Sequence, residues 1–149
     1  MKRILFLAVF LTSIAGYAQK KSLPAEVIST LDKMYADRQD INWKMKNDHY
    51  IVKFKQNKCP VDVVMSKSGE WIESETVCKK KYAPQNIKDK LELYYPEGGY
   101  FTVKKIENRE GLFVYLVDVY TKAAMFKLEL HKDGSIKKSE KLTRHDVKQ

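Results

Sequence analysis

Residues 60–77 read PVDVVMSKSGEWIESETV, and this stretch decides the fold. Val61, Val63 and Met65 alternate with Asp62 and Val64, the period of a half-buried strand. Ser68-Gly69 follows, and glycine supplies the positive φ that a tight turn needs. Trp71 to Val77 then returns, rich in β-branched and aromatic residues. The same unit recurs at Phe126 to Leu142, with Asp133-Gly134 at its turn and Ile136 starting the return. Gly69 falls on Gly134 at an offset of 65, so the chain reads as two copies of one module.

Working outward, Leu23, Val27, Ile28, Leu31, Met34 and Tyr35 recur at helical spacing behind Pro24, which is suited to a first helical turn. Ile41, Trp43 and Met45 predict a strand, Asn47-Asp48 a turn, and Tyr50, Val52 and Phe54 a second strand. Gln56-Asn57-Lys58 then turns into the opening hairpin. In the second copy Ile87, Leu91, Tyr94 and Tyr95 mark a helix begun at Ala83-Pro84 and ended by Pro96. Strands over Phe101–Glu107 and Leu112–Tyr120 follow, with turns at 108–111 and 122–123. Pro24, Leu31 and Tyr35 map on Pro84, Leu91 and Tyr95 at an offset of 60, so five extra residues lie in the second copy's strand loops. Each copy is one helix and four strands, marginal alone. Two copies predict an α+β fold: one eight-stranded antiparallel sheet with both helices on one face.

The organisation is a signal peptide over 1–18, a first repeat over 19–82, a second over 83–143 and a polar tail over 144–149. Lys2-Arg3, the apolar run Ile4–Leu11 and the small residues up to Ala18 have the order of a secretory signal. The run is too short to span a bilayer, so no transmembrane segment is expected, and Gln19 stands where a lipoprotein would need Cys. The expected location is periplasmic or secreted. Without Lys2 and Arg3 the 28 basic residues become 26 against 19 acidic ones, a formal charge of +7. Export and the lack of a binding signature argue against nucleic acid as a partner. Lys79-Lys80-Lys81 at the joint reads as a solvated linker.

The leucine-proline helix (Leu23, Pro24, Val27), Tyr35 at its end, the turn Gly69-Glu70-Trp71 and the duplication (Pro84, Ile87, Tyr95, Pro96, Asp133-Gly134) resemble the exported PepSY-like proteins with the β-lactamase-inhibitor-like fold, of Bacteroidetes-type bacteria. The likeness runs from Leu23 to Leu142. Ser68 replaces an acidic residue before the first turn glycine, and Ile136 stands where the first copy has Trp71. The resemblance implies a non-enzymatic protein that binds or inhibits another protein.

Chemistry is missing from the pattern. His49, His131 and His145 are scattered, and no metal-ligand spacing is present, so neither a metal nor a cofactor is expected. Ser135-Ile136-Lys137-Lys138 matches a serine acylase element, but on a strand Ser135 and Lys138 point to opposite faces. Glu73 and Glu75 share a strand face as a solvated row, and Gly98-Gly99 makes no phosphate loop. With a two-residue turn at Ser68-Gly69, opposed residues sum to 137, as do Cys59 and Cys78, which places the pair within disulfide reach.

The expected function is an exported binding module acting on another exported or envelope protein through its helix-free sheet face. If Trp43, Met45, Tyr50, Val52 and Phe54 face the helices, Lys44, Lys46, Ile51, Lys53 and Lys55 lie opposite, joined by Val114, Leu116 and Tyr120 from the second copy. Apolar residues rimmed by lysine describe a docking patch. Burial of these residues in a homodimer is the alternative use of the face. A small anionic-ligand or envelope-sensing module is the alternative function, and an enclosed pocket would favour it. Protein recovered from the cell envelope should begin at Gln19 by intact mass; a species retaining Met1–Ala18 would overturn the export argument.

Overall fold

The computed structural model describes residues 22–142; the expected signal peptide over 1–18 and the expected tail over 144–149 lie outside the described residues. Helix α1 (Ala25–Met34) is followed by strands β1 (Gln39–Lys46), β2 (His49–Gln56), β3 (Cys59–Ser66) and β4 (Trp71–Lys79). A short 3-10 turn (Lys80–Tyr82) leads to α2 (Gln85–Tyr94), β5 (Thr102–Asn108), β6 (Phe113–Tyr120), β7 (Met125–Leu130) and β8 (Ile136–Leu142). The strands form one antiparallel sheet in chain order, β1 to β8. Two tandem helix-plus-four-strand units therefore share one sheet.

Each helix buries a narrower stripe than its sequence suggests. Val27, Leu31 and Tyr35 are buried, while Ile28 and Met34 are exposed; α2 repeats this with Ile87 and Leu91 buried and Tyr94 exposed. A lone helix lying on a sheet is covered along one line, so positions i, i+4 and i+8 suffice. Pro24 and Pro84 stand at the N-caps, where their carbonyls accept from Ile28 and Lys88 at 3.1 Å. Tyr50, Val52, Phe54, Val61, Val63 and Met65 complete the first core; Tyr115, Val117, Val119, Leu128 and Leu130 complete the second. The two cores are separate.

The organising hairpin departs from its expected geometry. Its turn is not the two-residue Ser68-Gly69: Ser66 N–H donates to Glu70 O at 2.9 Å, enclosing Lys67, Ser68 and Gly69, with Gly69 at φ +82°. Met65 therefore pairs with Trp71, one step out of the expected register. A bulge then intervenes, because Val64 pairs with Glu73 and Ile72 is left over. The two irregularities cancel, and Cys59 and Cys78 come into register after all. They are disulfide-bonded, with Cα atoms 4.8 Å apart. The β7–β8 hairpin has the same construction: His131 N–H donates to Ser135 O, and a register shift follows next to Leu130.

The five extra residues all lie in one hairpin. Met45 opposite Tyr50 becomes Lys105 opposite Tyr115, an offset of 60 on one strand and 65 on the next. The β5–β6 hairpin has two additional rungs, Glu107 opposite Phe113 and Asn108 opposite Leu112, and a turn one residue longer.

Both turn glycines dock against the helix of their own unit. A Cβ on Gly69 would lie 2.7 Å from the Glu26 backbone, and one on Gly134 2.8 Å from the Lys90 side chain. Thr30 Oγ1 donates to Gly69 O at 2.7 Å; in the second unit Asn86 Nδ2 donates to Lys132 O at 3.1 Å. Gly111 shares the positive φ with nothing within 4 Å. Alanine at these sites should therefore rank by what it meets. Urea unfolding should show Gly111→Ala losing about 1 kcal/mol from backbone conformation alone. Gly134→Ala should lose somewhat more, since the Lys90 stem can yield, and Gly69→Ala about 3 kcal/mol, since backbone cannot.

Candidate binding faces

The ladder places all eight expected face residues away from the helices. Lys44 and Lys46 lie on edge strand β1, Ile51, Lys53 and Lys55 on β2, and Val114, Leu116 and Tyr120 on β6. It does not bring them together. Strands β3, β4 and β5 separate the β2 and β6 groups, roughly 19 Å at the usual strand spacing. One continuous row reads Asn42, Lys53, Asp62, Glu75, Ile106, Val114, and another reads Lys104, Leu116, Glu129, Lys138. Val64, Ile106 and Val77 are thus part of the face, along with Asp62, Glu73, Glu75 and Glu129.

This corrects the expectation of apolar residues rimmed by lysine. Acidic and basic residues interleave across the face, and Lys53 pairs with Asp62 and Lys104 with Glu75 at 3.0 Å. Both pairs are solvent-accessible and contribute little stability, at most about 1 kcal/mol each. Val114 points to this side but is only 6% exposed, so it offers a partner almost no surface. Ile51 and Leu116 are half-buried, and Tyr120 is exposed. The acidic members were legible: hairpin pairing alone sets Asp62 opposite Lys53 and Glu75 opposite Asp62.

On the helix side, sequence reasoning missed a polar seam between the two cores. Strand parity aims Ser74, Thr76 and Cys78 of β4, and Val103, Lys105 and Glu107 of β5, toward the helix layer. Ser74 is buried and donates to Glu107 Oε1 at 3.2 Å, and Lys105 Nζ donates to the same oxygen at 2.8 Å. Among the described residues the buried Tyr35 hydroxyl has no well-aligned partner, although Ser74 lies beside it. A half-open cavity of about 250 Å³ lies along this seam, lined in part by Tyr35, Tyr82, Tyr115, Lys105 and the disulfide. Glu107 belongs to the extra rungs of the β5–β6 hairpin, so nothing in the first copy announces it.

Burial raises the phenol pKa of Tyr35 and Tyr115, and Glu107 raises both further. Tyr100 is raised by burial, with Glu92 adding to it. Half-buried Tyr82 is lowered, chiefly through its hydrogen bond with Lys81. Among the described residues no cluster of three or more metal-ligating side chains occurs, and both cysteines are oxidised. Ser135, the serine of the rejected acylase element, donates to Asp133 Oδ1 within its turn.

The fold has solved counterparts. No family model matches the chain, and no curated protein matches it significantly. Among solved structures, a BLIP-like protein from Bacteroides fragilis NCTC 9343 superposes with a TM-score of 0.59 at 18% identity, over 86% of this chain and 94% of that one. A DUF2874 family protein from Bacteroides uniformis ATCC 8492 gives 0.56 at 18% identity, over 83% and 92%. A protein from Bacteroides eggerthii DSM 20697, provisionally assigned to the periplasm, gives 0.55 at 17%, over 83% and 91%. The chain is thus similar in fold to a BLIP-like protein and to DUF2874 family proteins. Among the described residues no helix is long and apolar enough to cross a membrane.

Raised phenol pKa values mean that the folded state holds protons the unfolded chain gives up. The associated stability is complete below the unfolded value, about 10, and is lost as pH rises through the folded value. Phenolate absorbance should therefore show Tyr82 ionising first, a phase abolished by Tyr82→Phe. Tyr35, Tyr100 and Tyr115 should ionise last, together with alkaline unfolding.

Proposed function

We propose that the chain is an exported, non-catalytic, PepSY-like module that binds another envelope protein on its helix-free sheet face. The supporting observation is one-sided coverage: both helices lie on one face of eight strands, and the other presents Ile51, Val64, Ile106 and Leu116 among fixed charges. The BLIP-like description of the Bacteroides fragilis neighbour supports a protein-binding use of this architecture. On this reading the processed chain consists of the repeats 19–82 and 83–143, with 144–149 as a tail. The interleaved charges supply register and selectivity, while the aliphatic residues supply contact area.

The small anionic-ligand alternative has its own support in the seam cavity, where Lys105 and three tyrosines converge on the helix side. Glu107 already neutralises Lys105 there, which weighs against an anion.

Leu116→Asp separates these readings. Leu116 is half-buried on the open face, so the change should cost the fold no more than about 1 kcal/mol, whereas Val117→Asp on the covered face should unfold it. Capture of the envelope partner by immobilised Leu116→Asp should weaken by about 2 kcal/mol. Lys53→Glu should act on association rate and salt sensitivity. Intact capture by a folded Leu116→Asp protein, with loss instead in Lys105→Gln, would move the site to the seam.

A further inference from the structure

Lys79, Lys80 and Lys81 look like a linker in sequence, but the fold adds a fourth cation and aromatic rings to them. Lys58, at the β2–β3 turn, brings its Nζ to 5.5 Å from the centre of the Tyr82 ring, and Lys81 Nζ lies 4.7 Å from the same ring. Lys80 Nζ sits 4.8 Å from the Tyr100 ring. Among the described residues none of these four lysines has a carboxylate within 4 Å, whereas nearby Lys55 and Lys122 pair with Asp40 and Glu97. Uncompensated like charges brought together by folding repel, and an anion from outside relieves that repulsion.

The same end of the sheet carries the most exposed large apolar side chain described. Phe101 is 77% exposed and stacks on the exposed Tyr120 with ring centres 5.7 Å apart. Its carbonyl accepts from Lys80 N–H at 2.8 Å, and Lys79 pairs with Thr102 across β4 and β5, which places both lysines next to it.

We propose that this end of the molecule, Lys58, Lys79, Lys80 and Lys81 with Phe101 and Tyr120, docks on the anionic phospholipid surface of a membrane. Long lysine stems reach headgroup phosphates without a fixed partner geometry, and amphipathic or apolar rings settle at the headgroup level. An acidic protein would supply carboxylates for the lysines, but a ring that protrudes this far calls for the apolar depth that a bilayer provides. Lys79 and Tyr120 lie at one end of the open sheet face, and the aliphatic residues farther along it, Ile51, Val64, Ile106 and Leu116, stay free for a protein partner.

The test uses processed chain recovered after export, sedimented with phosphatidylethanolamine vesicles with or without phosphatidylglycerol. Binding should require phosphatidylglycerol and fall with added salt. Replacing Lys58, Lys79 and Lys81 together by Gln should weaken it about a hundredfold, at about fivefold per lysine. Phe101→Ser should weaken it severalfold with no change of charge. Replacing Lys44, Lys46 and Lys138 by Gln removes the same charge elsewhere and should have little effect. Equal loss in that control would mean that net charge alone acts, and unchanged binding by Phe101→Ser would remove the ring from the site; either result overturns the proposal. Binding to soluble polyglutamate with none to the vesicles would assign the cluster to an acidic protein instead. Circular dichroism of each variant confirms folding, and if the triple variant unfolds, Lys58→Gln and Lys81→Gln singly should each give about a fivefold loss.

Discussion

A glycine turn held against a helix is the contact on which each unit depends. Gly69 lies so close to the backbone of Glu26 that no side chain fits, and Thr30 fixes the approach with a hydrogen bond to the Gly69 carbonyl. The turn belongs to β3 and β4 and the helix precedes β1, so this contact closes the unit across its whole length. Gly134 repeats it against Asn86 and Lys90. Once the turn is seated, the buried helix stripe lies over the strand centres, and Val27 and Leu31 share a core with Val52 and Val63. The bulges beside both turns follow: a three-residue turn shifts the register by one, and the bulge restores it for the rest of the ladder.

Two units built this way can cover only one side of the sheet they share. The helix layer is broken where β4 meets β5, and the covered face there becomes polar, with Ser74, Lys105 and Glu107 in mutual contact. Such a network is satisfied internally and needs no helix above it. Among the described residues nothing covers the far face from β1 to β8. Its alternating charges keep an extended open sheet soluble, and lysines on the edge strands discourage pairing with a second sheet.

The proposed function rests on what this architecture leaves exposed. Among the described residues the histidines do not converge, the cysteines are tied in a disulfide, and the least exposed carboxylate–ammonium pair, half-buried Lys105 with Glu107, serves the seam. An open face with aliphatic residues at intervals among fixed charges suits selective docking, and the lysine-aromatic cluster lies at one end of it.

The repeats, element order, turn positions and disulfide partners were legible in the sequence because each is local. Alternation sets strand faces, glycine and asparagine set turns, and helical spacing marks Val27, Leu31 and Tyr35. The register of the organising hairpin was not legible: a three-residue turn and a bulge give the same cysteine pairing as a simple two-residue turn, and one-dimensional counting cannot separate them. Val114 is apolar and correctly faced, yet its neighbours cover it, which depends on how strands pack in three dimensions. Face membership of Val64 and Ile106, and the charge ladder between β2 and β6, required the order of all eight strands. Lys58 and Lys81 are 23 positions apart and meet over Tyr82 only because the β2–β3 turn and the joint before α2 end on the same side of the sheet. Periodicity determines what each segment is; which segments meet is decided by long-range packing, and the surfaces proposed to bind arise from those meetings.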